Sequence, residues 1–364
     1  MKWHLGIGFL LILVAWPAVV AGTEFRDPQV EGLELARARY GAALKRSEDL
    51  VLPKWKRAPL PGSRHAAVPR LRARLAAEGY GAASPDDPTA PELFDGALRT
   101  AVGHYQYAHG LGSTGRLDEG TVSEMRVSLS ERLRRIEVAI RVREGFEGQG
   151  GDFIEVNIPA YDVRLVLDGE VVRRFRAIVG GTEDRNRTPI LRSVVDRIVF
   201  NPVWRVPDRI QKEELEPREA REPGYLERND FLRRGDSIVQ LPGPQNALGR
   251  VKFLFENEYD VYLHDTPNKR LFRRKRRTLS HGCVRVEGAE ELAVILMGRE
   301  ASERSLSPSA LWEAGREKEV ELQRSLPVRI VYVDVVLGPH GFVHFLDDVY
   351  GISRAVRSER EGRD

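Results

Sequence analysis

Residues 164–180 read RLVLDGEVVRRFRAIVG, and their pattern decides the fold of the larger part of the chain. Apolar residues alternate before and after Asp168-Gly169, which gives each run one buried face at a period of two. Asp-Gly between two such runs is a strong hairpin signal, because both turn positions need a positive φ that this pair adopts at low cost. Upstream, Ile154, Val156 and Ile158 alternate, and so do Val163, Leu165 and Leu167. Downstream, strands are expected at Arg197–Phe200 and in DVYLH at 260–264, and RIVYVDVVLGPHGFVHFL at 329–346 reads as a last hairpin about Gly338–Gly341. His340 and His344 flank that turn and read as surface residues. Residues 205–235 are highly charged and helix-like, so an insertion on the sheet is expected there. The region from 152 onwards is therefore mostly β, with short helices.

The N-terminal half has a different period. Val68, Leu71 and Leu75 have helical spacing and end at Gly79-Tyr80-Gly81, and Phe94, Leu98, Val102 and Tyr105 mark one face of a second helix. A third short helix is expected near Gly120-Thr121. Before these, residues 23–64 are charged and punctuated by proline, with one helical stretch near Val30–Asp49. After them, Leu129–Val142 is amphipathic and basic, a connecting helix. GFEGQGG at 145–151 reads as a hinge and not a phosphate loop, since no Gly-Lys-Ser/Thr follows it.

Composition narrows the function classes. The 364 residues are 41% hydrophobic and 30% charged, enough to build a core, and the length suggests two or three domains. A net charge of +3 gives no support for a nucleic-acid binder, whose affinity rests on many phosphate contacts. Residues 1–21 have the layout of a secretory signal peptide: Lys2, an apolar stretch from Leu5 to Trp16, and small residues at Val19-Val20-Ala21. That stretch is shorter than the ~20 residues of a spanning helix, so an exported protein without an integral membrane span is expected. Cys283 stands alone, which excludes an internal disulfide and a cysteine zinc cluster.

In an oxidising compartment a lone thiol calls for a chemical reason. Its context is LHDTP at 263–267 followed by TLSHGCVRVEGAEELAVIL at 278–296. A thiolate is the reactive form of cysteine, and a nearby imidazole assists its formation. His264 and His281 are both available, and spacing alone does not choose between them. Gly282 permits a tight turn that could aim backbone N–H groups at an oxyanion. The helix starting near Gly288 could add its dipole. No HExxH pair is present, which argues against zinc hydrolysis.

His264 followed by Ser280-His281-Gly282-Cys283-Val284-Arg285 resembles the active-site signature of the L,D-transpeptidases of bacterial walls. VNIPAYDVRLVLDGEVVRRFRAIVGG, TPILRSVVDRIVFNPVWRVP and PGPQNALGRVKFLFENEYDVYLHDTP resemble the same family in order. Arg285 stands where many members have Asn, as in the family's larger branch. VPRLRARLAAEGYG and LFDGALRTAVGHYQYAHGLGSTGRLDEGT resemble the three-helix peptidoglycan-binding module often joined to wall enzymes. In that module His104 and His109 read as packing or surface residues rather than ligands.

The resemblance implies a multidomain α+β protein: signal peptide 1–21, helical scaffold 22–64, peptidoglycan-binding-like module 65–128, connecting helix and linker 129–151, catalytic domain 152–346 with a helical insertion about 205–250, and charged tail 347–364. It implies Cys283 as nucleophile, His264 as base with the Asp265 carbonyl orienting it, His281 shaping the pocket, and the amides of Gly282 and Cys283 as oxyanion hole. Tyr262, Trp204, Arg285 and Ser280 would line the substrate cleft, though Trp204 suits ordinary core equally well. The reaction implied is acyl transfer from a peptidoglycan tetrapeptide stem through a thioester, without a cofactor, and with carbapenems as possible acylating inhibitors. Other cell wall enzymes are possible partners. Rival readings are an L,D-carboxypeptidase or hydrolase, and a non-catalytic peptidoglycan-binding protein. The cluster Lys269, Arg270, Arg273, Arg274, Lys275, Arg276 and Arg277 reads as a solvated loop or as an attractor of stem-peptide carboxylates.

Overall fold

The Asp168-Gly169 turn forms as its residues require, with φ of +52° and +78°, and joins β2 (Asp162–Leu167) to β3 (Glu170–Gly180). The computed structural model containing it describes residues 27–46, 50–53, 55, 57–81, 86–145, 151–298, 307–338 and 341–353. The expected signal peptide, positions 146–150 of the expected hinge, and residues 354–364 of the expected tail lie outside the described residues.

Around this hairpin a nine-stranded sheet is built from β1 (Phe153–Asn157), β2, β3, β4 (Leu191–Phe200), β8 (Val251–Phe255), β9 (Leu263–His264), β10 (Thr278–Ser280), β11 (Val284–Val286) and β12 (Lys318–Val331), in the order β10-β3-β11-β9-β8-β4-β12-β1-β2. Because β2 also pairs with β3, the sheet closes on itself and neither β2 nor β3 is left as a free edge. Its core holds Val156, Leu165, Phe175, Ile198, Phe253, Leu263, Val284, Val328 and Ile330, and the helix Ala289–Gly298 adds Leu292 and Leu296. The strand at 260–264 is shorter than its apolar pattern implies. Asn257 binds the carbonyls of Phe255 and Val261 and accepts from the Val261 amide, which folds 257–261 into a turn.

The insertion differs from the helical segment expected. Only its first part is helical: Asp208–Ile210, a π turn at Gln211–Leu215, then Glu216–Arg221 and Tyr225–Arg228. Next come β6 (Phe231–Arg234) and β7 (Ser237–Gln240), which with β5 (Trp204–Arg205) form a small sheet. Leu226, Phe231 and Ile238 give this unit its own small core, which charge-rich helical periodicity could not reveal.

The helical half contains α1 (Pro28–Arg46), α2 (Val68–Glu78), α3 (Gly96–Ala108), α4 (Glu119–Glu124) and α5 (Leu129–Glu144). Asp95, Asp118 and Ser128 cap α3, α4 and α5 through their side chains. The core of α2 and α3 also takes in Leu52, so the module's packing begins upstream of 65. The C-terminal hairpin, β13 (Val335–Leu337) with β14 (Val343–Phe345), is where expected but packs against α1 and α5 instead of the closed sheet. Residues 335–337 and 343–345 thus belong by packing to the scaffold, a correction to a catalytic unit running to 346. His344 is half-buried, its ring 5.6 Å from Tyr107, and so is not a surface residue, while His340 lies outside the described residues. The tail expected from 347 is likewise ordered at Tyr350, which enters the catalytic core.

A buried polar cluster joins scaffold and module. Arg132 approaches Glu78 (3.3 Å) and Glu124 (3.1 Å), and the fully buried His109 ring lies 3.2 Å from Glu124. Burial and the Arg132 cation push His109 down to about 4, so it is neutral at pH 7. Burial opposes the Glu78 charge, yet Arg74 and Arg132 hold it at about 2. An unfolded histidine takes its proton near pH 6.5 and an unfolded glutamate near pH 4.5. Both groups therefore contribute stability at neutral pH that is lost on acidification, from 6.5 to 4 for His109 and from 4.5 to 2 for Glu78. Through His109 alone, thermal melts should show about 3 kcal/mol lost between pH 6.5 and 4, and His109→Gln should flatten that part of the profile.

Candidate active site

The strand register assembles the site. β9 and β11 run parallel with Leu263 opposite Val284 and His264 opposite Arg285. β8 runs antiparallel to β9 with Lys252 opposite His264. Side chains alternate along a strand, so Val251, Phe253, Leu263, Val284 and Val286 turn into the core. Lys252, Tyr262, His264, Cys283 and Arg285 turn to the other face. A hydrogen bond from the Val284 amide to the Tyr262 carbonyl (3.1 Å) locks Cys283 beside Tyr262.

Cys283 is half-buried and its Sγ lies 3.8 Å from the Asp260 carbonyl. Burial pushes the thiol up to about 11, against the pull of Tyr262, Arg285 and Lys252. His264 is 4% exposed, with its ring edge-on to Tyr262 at 5.6 Å. Burial and then the Arg285 charge push this imidazole down to about 3. At neutral pH the resting site thus holds a thiol and a neutral imidazole. Nδ1 of His264 has no hydrogen bond among the described residues. The Asp265 and Leu248 carbonyls lie close enough to favour its protonated form.

The turn before Cys283 is held from beneath. Gly282 has φ +125°, a value that favours glycine. Ser280 Oγ donates to the Cys283 carbonyl (2.5 Å) and accepts from the Gly282 amide (3.3 Å). Both expectations for these residues change: the Ser280 hydroxyl is engaged in the turn and not offered to a substrate, and the Gly282 amide is already bound. His281 points away from the thiol to the insertion, its Nε2 2.6 Å from Glu214. Trp204 packs on Phe231 in the insertion core (6.1 Å), the ordinary-core alternative. Of the cationic cluster, Lys269 pairs with Asp265, Arg277 binds the Ala177 and Tyr161 carbonyls, and Lys275 donates to Gly110 of the helical module at 2.7 Å.

Three residues escaped the reading of the sequence. Lys252 is one, visible only as the polar break in VKFLF. The others are Thr188 and Tyr350. Thr188 Oγ1 accepts from the Gly180 amide (2.8 Å) and donates to the Gly282 carbonyl (2.7 Å). Tyr350 OH donates to the Gly180 carbonyl (2.7 Å) and accepts from the Thr188 amide (3.2 Å). No local motif announces contacts between positions so distant in the chain. Thr188→Val leaves a buried N–H and a buried C=O unpaired, so denaturant titration should show a loss of about 2–4 kcal/mol.

The closed sheet thus carries Cys283 just before β11 and His264 on the adjacent β9, with a helical module ahead of it in the chain. Residues 151–302 match the family model of the L,D-transpeptidase catalytic domain, and residues 64–125 match a model described as "Putative peptidoglycan binding domain". Strand β12 lies beyond the first match. A curated relative from Haemophilus influenzae, described as "Putative L,D-transpeptidase", is 32% identical over 223 residues, covering 56% of this chain and 45% of that protein. The chain thus matches under half the length of that relative. Among solved structures, an L,D-transpeptidase from Xylanimonas cellulosilytica is similar at 17% identity, covering 77% of this chain and 100% of that chain with a TM-score of 0.24. L,D-transpeptidase 1 of Mycobacterium tuberculosis is similar at 15% identity, covering 50% and 61% respectively with a TM-score of 0.23. Superpositions at those scores say nothing about the site.

Proposed function

We propose that the protein is an exported cysteine acyltransferase of peptidoglycan that works in the cell envelope. The Cys283 thiol attacks the carbonyl of the third residue of a tetrapeptide stem as its proton passes to His264. The bond to the terminal D-amino acid breaks, and that amine leaves with the proton from the imidazolium. The resulting thioester is attacked by the side-chain amine of a diamino acid in a second stem; His264 takes the amine proton and the thiol is restored. The products are one cross-link between third residues and one free D-amino acid. A thioester suits the second step because it remains reactive towards amines. With the Gly282 amide engaged, the Cys283 amide is the backbone donor left for the oxyanion.

The observation that carries this reading is the register that sets Cys283 and His264 on one outward face of adjacent strands, within the residues that match the catalytic domain. Export rests on the sequence of residues 1–21, and among the described residues no helix is long and apolar enough to cross a membrane. The test is intact-mass spectrometry of the mature chain with tetrapeptide muropeptide. An acyl adduct together with cross-linked dimer is expected. Adduct with trimmed monomers alone would mean that water resolves the thioester, as in a carboxypeptidase. No adduct and no turnover would leave a wall-binding protein.

A further inference from the structure

Lys252 and Arg285 stand on either side of His264 in one cross-strand row, Lys252 from β8 and Arg285 from β11. Neither side chain has a carboxylate in ion-pair contact among the described residues, and Arg285 Nε is buried without a hydrogen-bond partner. The acidic groups nearest in effect to Lys252 are Glu317 and Glu319. Glu317 already binds the Val203 amide (2.6 Å) and Arg205, and Glu319 binds Arg197 (3.2 Å). Lys252 instead rests over the Tyr262 ring with Nζ 5.5 Å from its centroid, which points the ammonium along the face that carries Cys283. Two half-buried, uncompensated cations beside a nucleophile cost stability, and an anionic ligand would recover it.

We propose that Lys252, together with Arg285, seats a carboxylate of the acyl donor beside Cys283. The choice of donor rests on the transpeptidase reading above; the seat itself rests on the geometry alone. Of the groups on a tetrapeptide stem, the terminal carboxylate sits closest to the bond to be broken and best fits a seat beside Sγ. Its arrival also neutralises the charges that oppose an imidazolium at His264, so binding prepares the base for its proton. Donor carboxylate recognition and thiol activation are then a single event.

The test compares the full mature chain with Lys252→Gln and Lys252→Arg, after thermal melts establish that each is folded. The first readout is independent of turnover: the rates at which iodoacetate and iodoacetamide alkylate Cys283. The anionic reagent gains from the seat and the neutral one does not, so the ratio should fall about tenfold in Lys252→Gln, return in Lys252→Arg, and weaken with salt in the parent. An unchanged ratio overturns the seat. The second readout is kcat/KM for a tetrapeptide ending in a free carboxylate against one ending in an amide. Lys252→Gln should reduce the former about tenfold, chiefly through KM, and should not reduce the latter. Equal losses on both overturn the assignment to the donor carboxylate. A changed alkylation ratio in a chain that turns over neither peptide would uphold the anion seat and refute the transpeptidase reading.

Discussion

Cys283→Ala will form no acyl adduct with a tetrapeptide stem, will release no D-amino acid, and will take up no carbapenem mass. The loss should be at least about 10⁴-fold, to background, because the covalent route ends with its only nucleophile and nothing else on that face replaces it. Cys283 is the sole cysteine of the chain, so mass spectrometry reads a thiol adduct without ambiguity. The fold should be unaffected, since the side chain is half-buried and its approach to the Asp260 carbonyl is a long 3.8 Å. Unaltered melting with lost adduct therefore isolates chemistry from structure. A thioester or carbapenem adduct surviving in Cys283→Ala would remove Cys283 from the role.

His264→Ala should slow acylation by about 10²–10⁴-fold, the usual worth of a positioned general base. Its setting gives a second, sharper expectation. With the thiol pushed up to about 11 and the imidazole down to about 3, the free protein does not hold a preformed thiolate–imidazolium pair. Alkylation of Cys283 by iodoacetamide should therefore rise with pH through the neutral range and on towards 11, with no plateau near pH 7. A plateau there would mean an ion pair at rest and would overturn the neutral assignment. Stability should respond to acid in the same sense as reactivity. His264 titrates near 6.5 when unfolded, so its burial contributes stability above that pH and loses it as pH falls from 6.5 to 3. His264→Ala removes a buried ring whose Nδ1 has no partner, and it should flatten that acid limb of the melt profile. A site that holds an unsatisfied base and two uncompensated cations gives up stability for function.

Much of the architecture was open to inspection in the sequence because the relevant physics is local. Alternation and an Asp-Gly pair specify a two-residue hairpin, and the helical spacing of Phe94, Leu98, Val102 and Tyr105 specifies a helix. The reach of each element was harder to read. The insertion's charges suggested helix throughout, whereas Phe231, Ile238 and Trp204 build a small sheet with its own core. The C-terminal hairpin was visible as a hairpin, but the surface that receives it lies on α1 and α5, some 200 residues or more earlier in the chain.

By itself the sequence determined the candidates for the proposed chemistry: one cysteine, the histidines His264 and His281, and a glycine at a position whose φ of +125° favours that residue. Reactive side chains and turn-forming residues are properties of single positions, so spacing and residue type reveal them. Only the tertiary structure decided what each of them faces. Register put Lys252 and Arg285 on both flanks of His264, turned His281 towards Glu214, committed the Ser280 hydroxyl to the turn, and brought Tyr350 under Gly180. Those outcomes depend on strands that meet only when the sheet closes, and a shift of one residue in any pairing would have turned the site inward.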